Sequence, residues 1–280
     1  RRSIRAEIIP LKLSAGTKVG TLSVDEMAPE GAYVFSLCTG EGDIHNDYFA
    51  IENGVLKTAK KLEEGKTYTI RLKAKNAEAE KEKIFKIYAV GRGLVFRKED
   101  QKIAVGSPVE LSTKDYAEKL MKLEEGTILV HYTSTSDQAI QSLFSVSNAK
   151  AGHENRHFHV YIRPEGVLGC EIRNESAMNY GFKAANAVKA DYKGKPAENI
   201  IALQADKAKG TYQLFANGKK VLTIDAATLG GYRFISEITG LDTVSLGATK
   251  RGGSNKYTFG GNIHKIEVYE TPWTDEELIE

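Results

Sequence analysis

The chain has 280 residues, enough for two domains with cores of their own, and its composition is that of an ordinary globular protein. Its 39 Lys and Arg exceed its 37 Asp and Glu by only two, and the signs are interspersed, which argues against a polyanionic partner such as nucleic acid. No apolar run approaches the roughly 20 residues of a membrane span, no secretory signal is visible, and the opening Arg1-Arg2 without methionine suggests a piece excised from something longer.

From Ala6 to Val90 the sequence predicts short strands separated by turns. Ile8-Ile9, Leu11-Leu13 and Val19 to Val24 come first, then Tyr33 to Leu37, then Tyr48 to Ile51, which turns at Asn53-Gly54 into Val55-Leu56. Thr67 to Ala74 and Lys83 to Val90 alternate cleanly. About seven strands with a turn roughly every ten residues is the signature of a small antiparallel sandwich. The order of VGTLSV and YVFSLCTGEGDIHNDYFAIENGVLKTAKKLEEGKTYTIRLKAKN resembles a bacterial cadherin-like repeat. Calcium-dependent members of that group carry acidic linker motifs; Lys61-Leu62-Glu63-Glu64 stands in the place of one and no Asp-x-Asn-Asp follows Val90, so no calcium is assigned. Glu41, Asp43 and Asp47 read as turn chemistry. Gly65-Lys66-Thr67 ends like a phosphate-binding loop, but Lys60 stands where the first glycine is needed. Cys38 and Cys170, the two cysteines, sit in apolar runs without metal-ligand spacing and read as buried free thiols.

Gly91-Arg92-Gly93 reads as a joint, and Leu94-Val95-Phe96 as the first strand of a second domain. Val109 to Leu111 precedes a short helix over Tyr116 to Leu123. Gly126 to Tyr132 and Ile140 to Val146 are strands, the latter with Ile140, Ser142, Phe144 and Val146 on one side. His157 to Arg173 then forms a hairpin. Pairing Ile162 with Leu168, Val160 with Cys170 and Phe158 with Ile172 gives one apolar face. The same register sets Tyr161 opposite Gly169, His159 opposite Glu171 and His157 opposite Arg173 on the other face, and a slip of one residue would bury the charges. The connection Pro164-Glu165-Gly166 wants a positive φ at Gly166.

Asn174 to about Glu198 reads mostly as loop; Ile200 to Asp206 and Thr211 to Ala216 are strands, and Asn217-Gly218 signals a type I′ hairpin into Lys220 to Ile224. Thr243 to Ala248 is a strand, Thr249 to Lys256 a glycine-rich basic loop, and Asn262 to Tyr269 the last strand. Thr274-Asp275-Glu276-Glu277 is a capping box that starts a closing helix. Almost all strand and without crossover helices, this part reads as a large antiparallel sandwich or jelly roll.

Residues 221–224 after TYQLFANGKK and the ending FGGNIHKIEVYETPWTDEEL resemble the laminin-G and concanavalin A-like fold. VELSTKDYAEKLMKLEEGTI, IQSLFSVSN, HFHVYI, the Glu-x-Arg of CEIR and GLDTVSLGATKRGGSNKY are more closely similar to the sialic-acid-binding carbohydrate-binding module of family 40, found beside bacterial sialidase domains. The expectation is an all-β chain: a small cadherin-like sandwich over 1–90, then a concanavalin A-like jelly-roll sandwich over 91–280.

The resemblance implies that Arg173 and Arg251 grip a sialic acid carboxylate and that Glu171 accepts from the acetamido nitrogen or a hydroxyl. It implies that Tyr161, Tyr257 and Ile140 line the site. The hairpin register alone already places Tyr161, Glu171 and Arg173 together, whereas Arg251 alone is a surface arginine and Tyr257 and Ile140 are equally core or rim. A guanidinium fork meets a carboxylate with two parallel bonds, so two arginines suit an anionic sugar better than a neutral one. His157 and His159 read as supports for the acid and arginine rather than a metal pair, because no third ligand is spaced to join them. Asn174-Glu175-Ser176 fits a glycosylation sequon by chance.

The expected function is a non-catalytic, monomeric lectin module without cofactor, directed to sialylated oligosaccharides and mucin glycans, secreted or on a bacterial cell surface. The alternatives are a glycoside hydrolase of the same sandwich class and a structural adhesin stalk. The first would need Glu-x-Asp-x-x-Glu on one strand, which is absent; Glu171-x-Arg173-x-Glu175 has an arginine in the middle.

Overall fold

The computed structural model describes residues 4–6, 14–24, 31–63, 66–89, 93–190 and 195–279. Ile8-Ile9, Leu11-Leu13, Glu64, and Gly91 and Arg92 of the joint lie outside the described residues. At 52% strand and 8% helix the chain is all-β, and it divides into two compact units, Arg1–Arg92 and Gly93–Glu280.

In the first unit the strands are β1 (Ile4–Ala6), β2 (Lys18–Val24), β3 (Val34–Leu37), β4 (Phe49–Glu52), β5 (Val55–Thr58), β6 (Thr67–Lys75) and β7 (Glu80–Tyr88). They form a four-stranded sheet in the order β1-β2-β5-β4 and a three-stranded sheet β3-β6-β7. Alternation in β6 turns Tyr68, Ile70, Leu72 and Ala74 inward, against Val19, Leu22, Phe49, Leu56 and Leu62. Asn53 and Gly54 both take positive φ, as the type I′ turn between β4 and β5 requires. Asp43 accepts from the Gly40 amide at 2.9 Å, the turn chemistry read from the sequence. Cys38 is free, as expected, but half-buried rather than buried, and its thiol donates to Glu82 Oε1 at 3.1 Å. It lies just past the end of β3, where the apolar alternation no longer governs which way a side chain points.

The second unit contains β8 (Leu94–Ile103), β9 (Val109–Glu110), α1 (Ala117–Leu120), β10 (Gly126–Ser134), β11 (Gln141–Ser147), β12 (Arg156–Arg163), β13 (Val167–Asn174) and β14 (Met178–Ala184). It continues with β15 (Ala197–Asp206), β16 (Thr211–Ala216), β17 (Lys219–Asp225), β18 (Thr243–Leu246), β19 (Thr249–Arg251), β20 (Ser254–Lys256), β21 (Gly261–Tyr269) and α2 (Asp275–Leu278). One six-stranded antiparallel sheet runs β17-β16-β15-β10-β21-β8 and the other β14-β13-β12-β11-β18-β9. A single core joins their facing surfaces: Phe158, Val160, Leu168, Cys170, Ile172, Val244 and Leu246 from the second sheet meet Ile128, Val130, Leu203, Leu214 and Ile266 from the first. Each such large apolar side chain, once fully buried, contributes about 1.5–3 kcal/mol.

The hairpin has the expected register from His157↔Arg173 through Ile162↔Leu168, and Gly166 has φ 104° in the connection. Asn217 and Gly218 take positive φ between β16 and β17, and Thr274 and Glu277 form the reciprocal capping box of α2.

Within the mostly loop stretch after Asn174 lies a strand the sequence did not reveal: Met178, Tyr180, Phe182 and Ala184 alternate buried with exposed neighbours in β14, which pairs with β13. The basic loop after Ala248 folds as the β19–β20 hairpin. In β11 a bulge between Ser142 and Phe144 reverses the parity, so Ser142 pairs with Tyr161 on the outer face while Phe144 pairs with Val160 on the core face.

Candidate functional site

The site lies on the outer face of the second sheet, where β12 presents His157, His159 and Tyr161, and β13 presents Gly169, Glu171 and Arg173. This face is not simply solvated. The excursion between β18 and β21 folds back over it, closed at its base by the Phe259 amide donating to the Gly247 carbonyl at 2.9 Å. Ser145 Oγ donates to the Ala248 carbonyl at 2.6 Å, and the Ser142 amide donates to the Tyr257 carbonyl at 2.8 Å. As a result His157 and His159 are fully buried although they stand on the polar side of the hairpin.

Glu171 is the hub. Its Oε1 lies 2.7 Å from His159 Nε2, and its Oε2 lies 3.2 Å from Arg173 Nε, which also donates to Asn179 Oδ1 at 2.8 Å. Burial alone would raise the Glu171 pKa; the histidines and Arg173 outweigh it and hold the carboxyl well below the usual carboxylate range. Burial pushes His159 down to about 4 against the opposing pull of Glu171, and lowers His157 as well. His159 is therefore neutral near pH 7. With its proton on Nε2 it donates to Glu171 and accepts at Nδ1 from Ser142 Oγ, 2.7 Å away, which in turn lies 2.8 Å from Thr249 Oγ1.

Aromatic rings wall the hub. The His159 ring is stacked between Tyr161, at 4.9 Å between centroids, and Tyr257, at 5.1 Å. The Tyr161 ring lies across β13 over Gly169, where a Cβ would fall 2.3 Å from its Cζ; only glycine permits this ring position. Arg251 sits over the Tyr257 ring at 5.4 Å and donates to its hydroxyl. Its other donors reach back to the chain before β12, Nη2 to Asn155 Oδ1 at 3.0 Å and Nε to the Glu154 carbonyl at 2.5 Å. Arg251 and Arg173 both add positive charge near the His157 imidazole, reinforcing the lowering that burial causes.

Of the six expected residues, the structure thus gathers Tyr161, Glu171, Arg173, Arg251 and Tyr257. Ile140 is half-buried just before β11, two positions from the Ser142 amide that holds the Tyr257 backbone. The statement that His157 and His159 lack a third ligand needs correction. Their ring nitrogens and a Glu171 oxygen lie within 4.8 Å of one another, because antiparallel pairing supplies a neighbour that spacing along one strand does not reveal. Sequence reasoning missed Ser142, Thr249, Asn155 and Asn179, and it set Gly169 opposite Tyr161 without drawing the close approach of the ring. The signal for that approach was a glycine inside a strand.

A chemistry follows from this arrangement: two guanidiniums for an anion, an ionised carboxylate that accepts hydrogen bonds, and tyrosine rings for apolar surface. The anhydrosialidase of Macrobdella decora is 42% identical over 193 residues, 69% of this chain and 25% of that protein. Sialidase B of Streptococcus pneumoniae serotype 4 is 31% identical over 156 residues, 55% of this chain and 22% of that one. The chain therefore spans about a quarter of the length of these curated relatives. The solved CBM40 of the Ruminococcus gnavus IT-sialidase bound to α2,6-sialyllactose is 43% identical with a TM-score of 0.63, covering 66% of this chain and 97% of that one. The same module bound to α2,3-sialyllactose gives 41% and 0.62 over the same shares. A family model described as sialidase, N-terminal domain, matches residues 95–280, and the chain belongs to that family.

Proposed function

We propose that residues 93–280 bind the terminal sialic acid of host glycans and mucins without catalysing a reaction, and so bring a parent sialidase or cell-surface protein to sialylated substrates. Arg173 and Arg251 take the sugar carboxylate. Glu171 accepts from the acetamido N–H or a hydroxyl, and Tyr161, Tyr257 and Ile140 cover the apolar parts. The observation that carries this reading is the Glu171 hub, an ionised acceptor fixed by His159 and Arg173 beside tyrosine rings, with Arg251 over the ring of Tyr257. The sialyllactose complexes of the Ruminococcus gnavus module support the ligand class. The depressed pKa of Glu171 supports a binding role, since a glycosidase general acid needs a raised one. The module acts as a secreted or surface-borne monomer, with the first unit as a cadherin-like spacer.

Calorimetric titration with sialyllactose and, separately, lactose tests this. Heat with sialyllactose alone is expected; equal responses would overturn sialic acid recognition, and no response would leave the adhesin-stalk alternative in its place.

A further inference from the structure

His157 is not explained by sugar binding. It is fully buried, and neither ring nitrogen has a hydrogen-bond partner among the described residues. An imidazole normally reaches the interior only with its donors and acceptors satisfied. Its Nε2 points at Glu171 Oε1 from 3.9 Å, too far for a hydrogen bond but close enough to share a ligand with it. His159 Nε2 lies on the same oxygen at 2.7 Å.

We propose that His157, His159 and Glu171 form a site for a divalent borderline-soft cation, zinc being the best match, and that zinc and sialoside compete for Glu171. Two imidazoles and one carboxylate are a common donor set for this class of metal. With bonds of about 2.0–2.2 Å, three donors around a tetrahedral ion stand about 3.4 Å apart. Opening the His159–Glu171 contact by about 0.7 Å, closing the His157–Glu171 one by about 0.5 Å, and drawing the two imidazole nitrogens, which lie within 4.8 Å, together by up to about 1.4 Å reaches that spacing. The surroundings already suit it. When His159 Nε2 turns to the metal, Nδ1–H donates to Ser142 Oγ, which donates to Thr249, the outer support that orients a ligating histidine. Arg173 occupies Oε2 and leaves Oε1 to the ion. A fourth position opens toward solvent, since the Glu171 side chain is 20% exposed and a Cβ built at Gly181, its partner on β14, would meet nothing within 4 Å. The neighbouring guanidiniums of Arg173 and Arg251 weaken the site without blocking it. The competition rests on the proposed role of Glu171 in sugar binding; the metal site does not.

Zinc alone is titrated into the full, metal-stripped chain by calorimetry, with His157→Gln, His159→Gln and His131→Gln as variants. His131→Gln controls for the His131–His264 ring pair on the other sheet. One-site binding that is lost in the first two variants and kept in the third is expected. No zinc binding, or binding that survives His157→Gln, overturns the site. If the histidine variants do not fold, cobalt(II) added to the unaltered chain decides: the intense visible bands of a four- or five-coordinate ion support the site, and the spectrum of the hydrated ion alone overturns it. Sialyllactose is then titrated with zinc at ten times its own dissociation constant. Competition raises the apparent sialyllactose constant about elevenfold, and an unchanged constant overturns the competition. Failure of sialyllactose to bind without zinc sinks the sugar-binding function instead and leaves the zinc titration standing.

Discussion

At Glu171 the competing forces are burial, which favours the protonated acid, and its His159 and Arg173 contacts, which favour the carboxylate and win. Arg173 is the partner that can be removed with least damage to the fold, because it stands on the outer face and its side chain keeps 29% of its exposure. Arg173→Ala is expected to weaken sialyllactose binding by about 2–5 kcal/mol, the range for truncating one member of a buried charged pair. Calorimetry reads the loss, and a melting midpoint that stays within about 5 °C shows that the fold is kept. His159 gives the second prediction at this scale. Its folded pKa of about 4 lies below the roughly 6.5 of an unfolded chain. Between those values the unfolded state binds more protons, so stability falls as pH drops from about 6.5 to about 4, by on the order of 3 kcal/mol. Urea midpoints across that range measure the slope, and His159→Gln should flatten it. The chemistry of these residues was legible in the sequence: HFHVYI against CEIR set His159 facing Glu171. Their burial was not, because the segment that covers them lies far along the chain.

Among the elements, the β12–β13 hairpin was read correctly from period-two alternation, since only one register keeps the charges off the core. The β11 bulge escaped because inserting one residue changes parity without changing composition. β14 escaped because Asn179, Gly181 and Lys183 between its apolar residues mask an alternation that burial makes plain. Gly169 ties the hairpin to its aromatic wall. Gly169→Ala puts a methyl into the Tyr161 ring, while β13 is held in place by pairing with strands on both sides. The expected cost is about 1–3 kcal/mol from overpacking, read by urea denaturation, with sialyllactose binding weakened as the ring is displaced. Gly181→Ala on β14 has open space and should change stability by less than about 0.5 kcal/mol.

For the molecule as a whole, the all-β class and its antiparallel sheets followed from strand spacing and turn signals, because those depend on local pattern. The assembly of the site did not follow, because it joins segments distant in sequence. Ser142 meets Thr249 across 107 positions, and Arg251 meets Asn155 across 96. Such long closures cost chain entropy before any contact offsets it, and pairings of this range form late. The excursion from Gly247 to Phe259 therefore does more than roof the histidines: it makes ligand binding a property of the finished molecule alone. Sialyllactose added to a stopped-flow experiment should leave the refolding rate unchanged and slow unfolding in proportion to its occupancy, because it stabilises the native state and not the transition state. A sugar that reads only completed chains would protect them against unfolding without helping them fold.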